Sequence, residues 1–422
     1  MADYRQILLS EMVPAMGCTE PIAIALCAAM ARQLLGRAPE ALEVHCSGNV
    51  IKNAKSVIVP NTGGLAGIAA AGSAGCFAGD ASRDLEVLAS ATADNIARAQ
   101  AFIDEGRVTL HHARGVDNLY IRCVASAAGS SAEATISGGH ANFVSFVKDG
   151  QPLPLEVAQP NRKPLPSAEG MSVASIFDYA TGLDFDQDPE LAQRLDQQID
   201  TNLSMAEEGL SKDYGAAVGR TLLESFPDDK RMRLRAYAAA GSDARMAGSA
   251  KPVVINSGSG NQGITVSLPL IVYAQDNALP RDRLRRGLVI SNLLAIYIKR
   301  QIGLMSAFCG VVSAAAAAGA GLAWLQDLNM EAIGQVITGT LLTSGGILCD
   351  GAKASCASKI SVSLDNAMLA IEMARRGRAL PAGQGLGGRD IDQTIANVAA
   401  IAREGMKDTD DHILQMMIRP ED

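Results

Sequence analysis

The order of hydrophobic and polar positions divides the chain into a helical start, an alternating middle section and a long helical remainder. From Pro21 to Leu35 apolar residues recur at helical spacing, which predicts the first clear helix. A turn-rich stretch follows, and the pattern changes after about residue 80. There a helix is predicted over residues 94–106, and strands over residues 85–90, 107–113, 118–127, 132–138 and 141–150. We expect the last four strands to form an antiparallel sheet.

A proline-rich tract, residues 151–170, predicts the linker that leaves this middle section. Beyond it the helical period returns. Helices are predicted over residues 172–183, 189–211, 213–226, 230–248 and 390–418. We therefore predict an α+β fold, in which a large, mainly helical catalytic domain (residues 1–78 and 170–422) is interrupted by a small α/β insertion (residues 79–169) with an antiparallel sheet.

One uncharged segment, residues 304–326, is long enough to meet the crude criterion for a membrane span. The segment is dominated by alanine and glycine, which are weakly hydrophobic and let neighbouring helices approach closely. Charged residues make up 19% of the chain, a share that suits a water-exposed surface. The sequence therefore favours a helix buried on all sides of a bundle.

Net charge and the N-terminal residues restrict the partners and the location. A formal charge of −8 argues against nucleic acid or an anionic membrane as the main partner. The first residues, MADYRQILLSEMVP, lack the basic stretch and apolar run of a signal peptide, so we expect a cytoplasmic protein. In that reducing compartment free cysteines are metal-binding, catalytic or buried rather than disulfide-bonded.

Three of the eight cysteines, Cys309, Cys349 and Cys356, lie in the last third of the chain among glycine, alanine and serine. Small neighbours let a backbone close around an inorganic centre, and thiolates are the soft ligands that iron–sulfur clusters and zinc prefer. Three ligands also leave one metal position open for a substrate. No CxxC pair is present, so small buried hydrophobic residues remain the alternative. The other cysteines before residue 130, apart from Cys18, are interpreted as core residues: Cys27, Cys46, Cys76 and Cys123.

Cys18 lies in a different context, the turn GCTEP. We expect a helix N-terminus there, with Thr19 as the cap and Pro21 in the first turn. A helix N-terminus lowers the pKa of a thiol, which makes Cys18 a candidate base or nucleophile, with a packed turn cysteine as the alternative. Glu20 is either a second acid/base group or a favourable charge in the first helical turn.

Two turn-rich loops are candidates for holding a substrate. Their glycines expose backbone N–H groups to anions, and their amide and hydroxyl side chains could orient a ligand, although the same residues also suit ordinary turns. Lys52 is a candidate partner for a carboxylate or a surface lysine, and His140 a candidate acid/base group or a structural residue. His111 and His112 point to opposite faces of one strand and are assigned no function. The candidate loop residues are Asn49, Asn53, Asn61 and Thr62 in the first loop and Ser257, Ser259, Asn261 and Gln262 in the second.

Six motifs in this order, GCTEPIAIA, VIKNAKSVIVPNTGG, GSDARMAG, INSGSGNQG, FCG and GILCDGAKASCASKI, resemble the L-cysteine desulfidase branch of the iron–sulfur L-serine dehydratase alpha-chain family. The resemblance implies that Cys309, Cys349 and Cys356 hold a 4Fe–4S cluster with one open iron, and that Cys18 takes part in proton transfer. The small domain with a Ser-Ser-His-Thr motif that serine dehydratases carry is absent from this sequence, which puts serine specificity in doubt.

The function implied is a lyase that converts L-cysteine to hydrogen sulfide, ammonia and pyruvate by α,β-elimination. Its catalytic residues would be Cys18, Glu20 and Lys52, with Thr19 and the loop residues near the substrate. Alternatives are L-serine dehydration at the same site and a protein that binds cysteine or metal without catalysis. Pyridoxal phosphate is not expected, because no candidate Schiff-base lysine precedes SGSGNQG. The expected partner is a small amino acid, with no nucleic acid and no membrane; a homodimer is the assembly considered.

Overall fold

The computed structural model describes residues 2–157 and 166–418, and within them the predicted α+β class is confirmed. The strands are β1 (Pro14–Met16), β2 (Ala41–Cys46), β3 (Val108–His112), β4 (Tyr120–Ala127), β5 (Ser130–Ser137), β6 (Phe143–Lys148), β7 (Gln151–Leu153) and β8 (Pro252–Val254). The helices are α1 (Tyr4–Glu11), α2 (Thr19–Leu35), α3 (Gly48–Ala54), α4 (Gly67–Ala78), α5 (Ala93–Asp104), α6 (Val173–Gly182), α7 (Pro189–Ser211), α8 (Val218–Ser225), α9 (Lys230–Met246), α10 (Gly260–Asp276), α11 (Arg281–Ile302), α12 (Gly310–Leu325), α13 (Met330–Ser344), α14 (Ser355–Arg375), α15 (Ile391–Ala400) and α16 (Lys407–Ile418).

The larger sheet has the strand order β3-β2-β4-β5-β6-β7. Its pairs are antiparallel except for β2 and β3, which run parallel. The four strands predicted over residues 107–150 are present, but their expected antiparallel pairing is wrong for β3, whose neighbour is β2 in parallel. β2 was not predicted, although its alternation of exposed and buried residues has the period of two that a half-buried strand requires. α2 packs on β4 and β5, and α4 packs on α2.

The strand predicted over residues 85–90 is wrong, because a 3₁₀ turn at Ala81–Glu86 begins this segment. Asp80 caps the turn by accepting hydrogen bonds from the backbone N–H and the hydroxyl of Ser82. Val87 and Leu88 are buried, and the turn packs against α2. The apolar residues therefore fill the core from a turn rather than from a strand.

Two predicted helices differ from the structure, one at its start and the other in its middle. The helix predicted over residues 213–226 begins only at Val218, because Gly215 and Ala217 have left-handed backbone angles. The helix predicted over residues 390–418 is divided into α15 and α16 by a π-helical turn at Ile401–Gly405. Part of the predicted linker, residues 158–165, lies outside the described residues, and the domain bounds remain a prediction.

The alanine-rich segment forms α12, and the predicted buried helix is confirmed. α12 packs against α10, α11, α13 and α14, and nearly all of its residues are buried. A Cβ atom at Gly321 would come within 2.8 Å of the Leu270 side chain and 3.1 Å of the Gly287 carbonyl oxygen. The small residues therefore allow the close helix contacts of this bundle. Across the described residues, no helix combines the length and the apolarity that crossing a membrane demands.

The short antiparallel pair of β1 and β8 joins the N-terminal segment of the helical part to the segment that follows the sheet. Pro14 pairs with Val254 and Met16 with Pro252, and the Ile255 N–H donates to the Val13 carbonyl. The chain leaves β1 directly into the GCTEP turn and leaves β8 directly into the INSGSGNQG loop. This pairing sets two of the sequence motifs beside each other.

Candidate active site

The N-terminal ends of four helices, α2, α10, α12 and α14, meet at one cavity of about 100 Å³. Each helix contributes residues from its cap or first turn to the cavity wall. The partial positive charge of a helix N-terminus favours thiolates and bound carboxylates. The cavity is therefore suited to anions, although the surface of the whole protein is acidic. Its wall includes Cys18, Thr19, Glu20, Asn53, Ser259, Asn261, Gln262, Cys309, Cys349 and Cys356.

Cys309 and Cys349 are brought together by two short backbone segments. The Cys309 N–H donates to the Ile347 carbonyl at 3.0 Å, and the Cys349 N–H donates to the Ala307 carbonyl at 2.7 Å. Cys309 is the N-cap residue of α12. Cys309 and Cys349 are forty residues apart in the sequence, but they lie on two backbone segments that are hydrogen-bonded to each other.

Cys356 lies in the first turn of α14 and faces the same cavity. The chain reaches it through Gly351, whose φ of +100° favours glycine. A Cβ atom at this position would come within 2.3 Å of the Lys52 carbonyl oxygen. The glycine between Cys349 and Cys356 is therefore required for the loop to pack against α3.

The electrostatic surroundings give Cys349 a lower pKa than the other two thiols. The hydrogen bond from Cys309 lowers the pKa of Cys349 to about 6, with help from the cations Lys52 and Lys299, although burial opposes ionisation. The same hydrogen bond and burial raise the pKa of Cys309, and burial raises that of Cys356. Cys349 is consequently the first of the three to become a thiolate.

Lys52 is not part of the cavity wall but acts on the cysteines by its charge. Its side chain is buried on α3, and its Nζ lies 2.5 Å from Asp410 Oδ1 on α16. Lys299, in the last turn of α11, does line the cavity, and burial lowers its pKa. Sequence reasoning missed Lys299, since a lysine in a helical stretch carries no local signal of burial.

Cys18 lies at the start of α2, but its thiol does not have the lowered pKa expected from the sequence. Burial raises the pKa of Cys18 well above its usual value, and the negative charge of Glu20 adds to the effect. The Cys18 thiol donates to Glu20 Oε2 at 2.9 Å. The N-cap residue of α2 is Cys18, so the expected cap at Thr19 is wrong by one residue.

Glu20 is a buried carboxylate with partners on several elements. Burial opposes its ionisation, yet His140 and the Cys18 thiol hold the pKa of Glu20 at about 2. His140 Nε2 lies 3.7 Å from Glu20 Oε1, and Asn53 Nδ2 donates to the same oxygen at 3.3 Å. The structure thus brings Cys18, Glu20, His140 and Asn53 into one connected group.

Arg245, in the motif GSDARMAG, is a cavity residue that sequence reasoning missed. It is buried, and its Nη1 donates to Asn261 Oδ1 at 3.2 Å. Within the described residues its Nε has no hydrogen-bond partner, and no carboxylate oxygen lies within 4.0 Å. The signal available in the sequence was the place of Arg245 among small residues, which indicates burial. A buried arginine normally has an acidic partner.

The second loop forms the N-terminus of α10. Ser259 caps the helix by accepting from the Gln262 N–H, and both residues line the cavity. The Gln262 Oε1 atom is buried and has no hydrogen-bond partner within the described residues. Together with Arg245, this orphan acceptor gives the cavity both a donor and an acceptor for a polar ligand.

Besides Lys52 and His140, four candidates do not line this cavity. Asn49 lies at a separate surface cavity next to α16. Asn61 donates to the Leu88 carbonyl, Thr62 donates to the Val59 carbonyl, and Ser257 donates to Asn256 Oδ1. The contacts of Asn61, Thr62 and Ser257 are those of residues that stabilise turns, as the alternative interpretation expected.

The three thiols fit a cluster better than a single ion. Thiolates on one tetrahedral zinc lie about 4 Å apart. The sulfur atoms of Cys309, Cys349 and Cys356 do not all lie within 4.8 Å of one another. Three soft donors, a lowered pKa at Cys349 and the helix N-termini together suit a larger, negatively charged centre.

Comparison with known proteins gives consistent matches. The family model of the serine dehydratase alpha chain matches residues 82–415. A UPF0597 protein of Finegoldia magna is 43% identical over 419 residues, covering 99% of this chain and 100% of its own length. A UPF0597 protein of Lachnoclostridium phytofermentans is 43% identical over 412 residues, with 98% of each chain covered. A third, from Treponema denticola, is 40% identical over 426 residues, covering 99% of this chain and 97% of its own.

Proposed function

The chain belongs to the serine dehydratase alpha chain family, and from that premise we propose that it is a lyase that releases sulfide from L-cysteine. The observation that carries the proposal is the cavity in which Cys309, Cys349 and Cys356 meet four helix N-termini. The family is associated with iron–sulfur clusters, and the donor set fits one. In this proposal the three cysteines hold a 4Fe–4S cluster, whose remaining iron supplies a Lewis acid to the leaving group.

The substrate carboxylate is bound by positive charge that belongs to the protein. Arg245 is the best candidate, because its guanidinium is buried in the wall with a free Nε donor. A buried charge without an acidic partner is costly unless a ligand supplies the missing anion. Lys299 adds a second cation to the cavity wall, and Gln262 offers an acceptor to the α-amino group.

Cys18 is the proposed base for the α-proton, and Glu20 positions it. The thiol donates to Glu20 Oε2 at 2.9 Å, which orients the sulfur, while the low pKa of Glu20 keeps the carboxylate ionised as the acceptor of this hydrogen bond. The raised pKa of Cys18 means that few molecules hold a thiolate at neutral pH, but that this thiolate is a stronger base. His140 and Asn53 stabilise the Glu20 carboxylate from its other oxygen.

Bond changes in the proposed reaction balance without a redox partner. Cys18 takes the α-proton, and the released electron pair forms the Cα–Cβ double bond while the Cβ–S bond breaks. Sulfide and 2-aminoacrylate leave. Tautomerisation to the imine and addition of water then give pyruvate and ammonia, so that cysteine and one water yield hydrogen sulfide, ammonia and pyruvate.

L-serine is the second candidate substrate, and the family match is the observation that favours it. The same residues would remove the α-proton, with hydroxide leaving instead of sulfide. Soft sulfur binds iron more readily than a hydroxyl does, so the account expects cysteine to be preferred.

Anaerobic reconstitution with iron and sulfide, followed by assays with each amino acid, tests the proposal. We expect equal amounts of sulfide and pyruvate from L-cysteine, at a kcat/KM higher than that for pyruvate formation from L-serine. A higher kcat/KM for L-serine than for L-cysteine would make serine the substrate, and the proposal of a lyase at this site would still hold. Binding of cysteine without any product from either amino acid would instead favour the non-catalytic alternative.

A further inference from the structure

A second group of possible metal ligands lies on the outer face of the sheet, on β2 and β3. Along β2 the side chains of Leu42, Val44 and Cys46 are buried, whereas Glu43 and His45 point to the opposite face. The parallel register pairs His45 with His111. Residues two apart on one strand and a residue opposite on its neighbour share one face of the sheet. The backbone therefore gathers Glu43, His45 and His111.

One ligand atom of each side chain lies close to the other two. Glu43 Oε2 lies 3.4 Å from His45 Nε2 and 3.6 Å from His111 Nε2. The two imidazole rings are stacked, with centroids 4.3 Å apart and planes 14° apart. One ligand atom from each residue lies within 4.8 Å of the others.

These separations are long for hydrogen bonds but match a shared ion. Hydrogen bonds between nitrogen and oxygen have lengths of about 2.7–3.2 Å. Nitrogen and oxygen ligands about 2.0–2.1 Å from a tetrahedral zinc lie about 3.3 Å apart. His45 Nε2 is also buried and lacks a hydrogen-bond partner within the described residues. A bound cation would give this atom the partner that the protein does not supply.

Neighbouring charge does not exclude a cation. Arg122 lies opposite His45 in the register of β2 with β4. Its guanidinium is paired with Glu133, with Nε 2.7 Å from Oε2. The positive charge closest along the strands is therefore balanced by its own carboxylate, and Glu43 supplies the negative charge for the ion.

We propose that Glu43, His45 and His111 bind one divalent transition-metal ion, with zinc as the metal that best suits this donor set. Two imidazoles and one carboxylate are ligands that zinc uses in proteins. β3 is an edge strand whose residues are mostly exposed. The ion would join this edge to β2, on a face that the cysteine cavity does not share, and would stabilise the end of the sheet. This site does not depend on the proposed lyase activity.

Metal stoichiometry of the cluster-loaded full chain tests the site. The key variant is His111→Asn, and His112→Asn is the matched control, since His112 is the next residue on β3, is also exposed, and faces the other side of the strand. Each protein is dialysed against zinc and then analysed for bound zinc and for thermal unfolding with and without zinc. Cobalt replaces zinc in a parallel sample, because its visible spectrum distinguishes nitrogen and oxygen ligands from thiolates.

We expect the wild type and His112→Asn to bind one more equivalent of zinc than His111→Asn, and to unfold at a higher temperature when zinc is present. The cobalt sample should show d–d bands without the near-ultraviolet thiolate-to-cobalt transition. His111→Asn should unfold as the wild type does when no zinc is added, since the side chain is exposed. Equal zinc stoichiometry in His111→Asn and wild type would overturn the proposal, as would a cobalt spectrum dominated by thiolate.

Discussion

Two groups of cysteines in this protein differ in exposure and in the charges around them, and the difference bears on which group is suited to ligate metal. Cys27, Cys46, Cys76 and Cys123 lie among α2, α4 and the sheet. Their thiols donate to backbone carbonyls where contacts are formed, as Cys27 does to the Ala134 carbonyl at 3.1 Å. Burial raises the pKa of Cys76 to about 12 and that of Cys46 further. Burial alone therefore keeps a cysteine protonated and inert.

Cys349 shows what the other group has in addition. Its side chain is half-buried, whereas the core cysteines are buried, and the hydrogen bond from Cys309 and the charges of Lys52 and Lys299 lower its pKa to about 6. Helix N-termini act in the same direction around the cavity. The comparison teaches that the pKa of a cysteine thiol depends on the hydrogen bonds and positive charges around it as well as on its burial.

The largest expected effect comes from removing a cavity cysteine. Cys309→Ala should abolish cluster retention and turnover, because two thiolates cannot hold the cluster in the proposed orientation. Cys76→Ala is the matched control: it removes a buried thiol from α4 and should keep the iron content, with a loss of about 1 kcal/mol of stability. Iron and acid-labile sulfide analysis after anaerobic reconstitution compares the two. Equal iron content in Cys309→Ala and Cys76→Ala would show that the cavity cysteines do not differ from the core cysteines in holding the cluster.

A smaller loss is expected when the proton-transfer pair is changed and the cluster cysteines are kept. Cys18→Ala should lower kcat by about 10²–10⁴-fold with the iron content unchanged. In Glu20→Gln the negative charge that raises the pKa of Cys18 is gone. The acidic limb of the pH–rate profile should therefore move to lower pH, while kcat falls because the carboxylate that orients the Cys18 sulfur is lost. A Cys18→Ala enzyme with wild-type kcat would exclude Cys18 as the base.

Arg245 offers a test of the cavity charge through substrate binding. Arg245→Gln should raise KM by about 10–150-fold, because a charge-assisted hydrogen bond to the carboxylate contributes about 1.5–3 kcal/mol. Arg235→Gln is the control on the same helix; Arg235 is also buried, but it contacts Ser361 and Asp365 instead of the cavity. Steady-state kinetics with L-cysteine compare them. A similar rise of KM in both variants would point to a general effect on α9.

The smallest effect concerns the buried ion pair of Lys52 and Asp410. The positive charge of Lys52 lowers the pKa of Cys349, so Lys52→Met should raise that pKa. Because iron binds the thiolate, protonation at the higher pKa should release iron at a higher pH, by about one pH unit. Lys55→Met, an exposed lysine three residues later, is the control. Iron retention across an acid titration measures the shift, and coincident curves for the two variants would contradict it.

The sequence predicted best those features that depend on local periodicity. α2, α7 and α12 and the strands after residue 107 follow from the spacing of apolar residues. The 3₁₀ turn at Ala81–Glu86 was assigned wrongly, because its apolar residues are buried by contact with α2, which is distant in the sequence. β2 was missed although its own alternation indicates a strand.

Candidate ligands were found by residue type, whereas their electrostatics required the tertiary structure. Cys309, Cys349 and Cys356 are recognisable among small residues, but the burial of Lys299 and the absence of an acidic partner for Arg245 among the described residues depend on packing. Cys18 shows the limit most clearly. Its place at a helix N-terminus was predicted, but the effect of burial and of Glu20 on its pKa outweighs that of the helix.

Mössbauer spectroscopy of the iron-57 cluster, with and without L-cysteine, tests the central claim most directly. The claim is that three cysteines from the cavity hold the cluster and leave one iron for the substrate. The account predicts that the signal of about one iron in four changes when L-cysteine is added to anaerobic protein. Four iron signals that are all unchanged at saturating L-cysteine, or no cluster signal in the reconstituted protein, would contradict it.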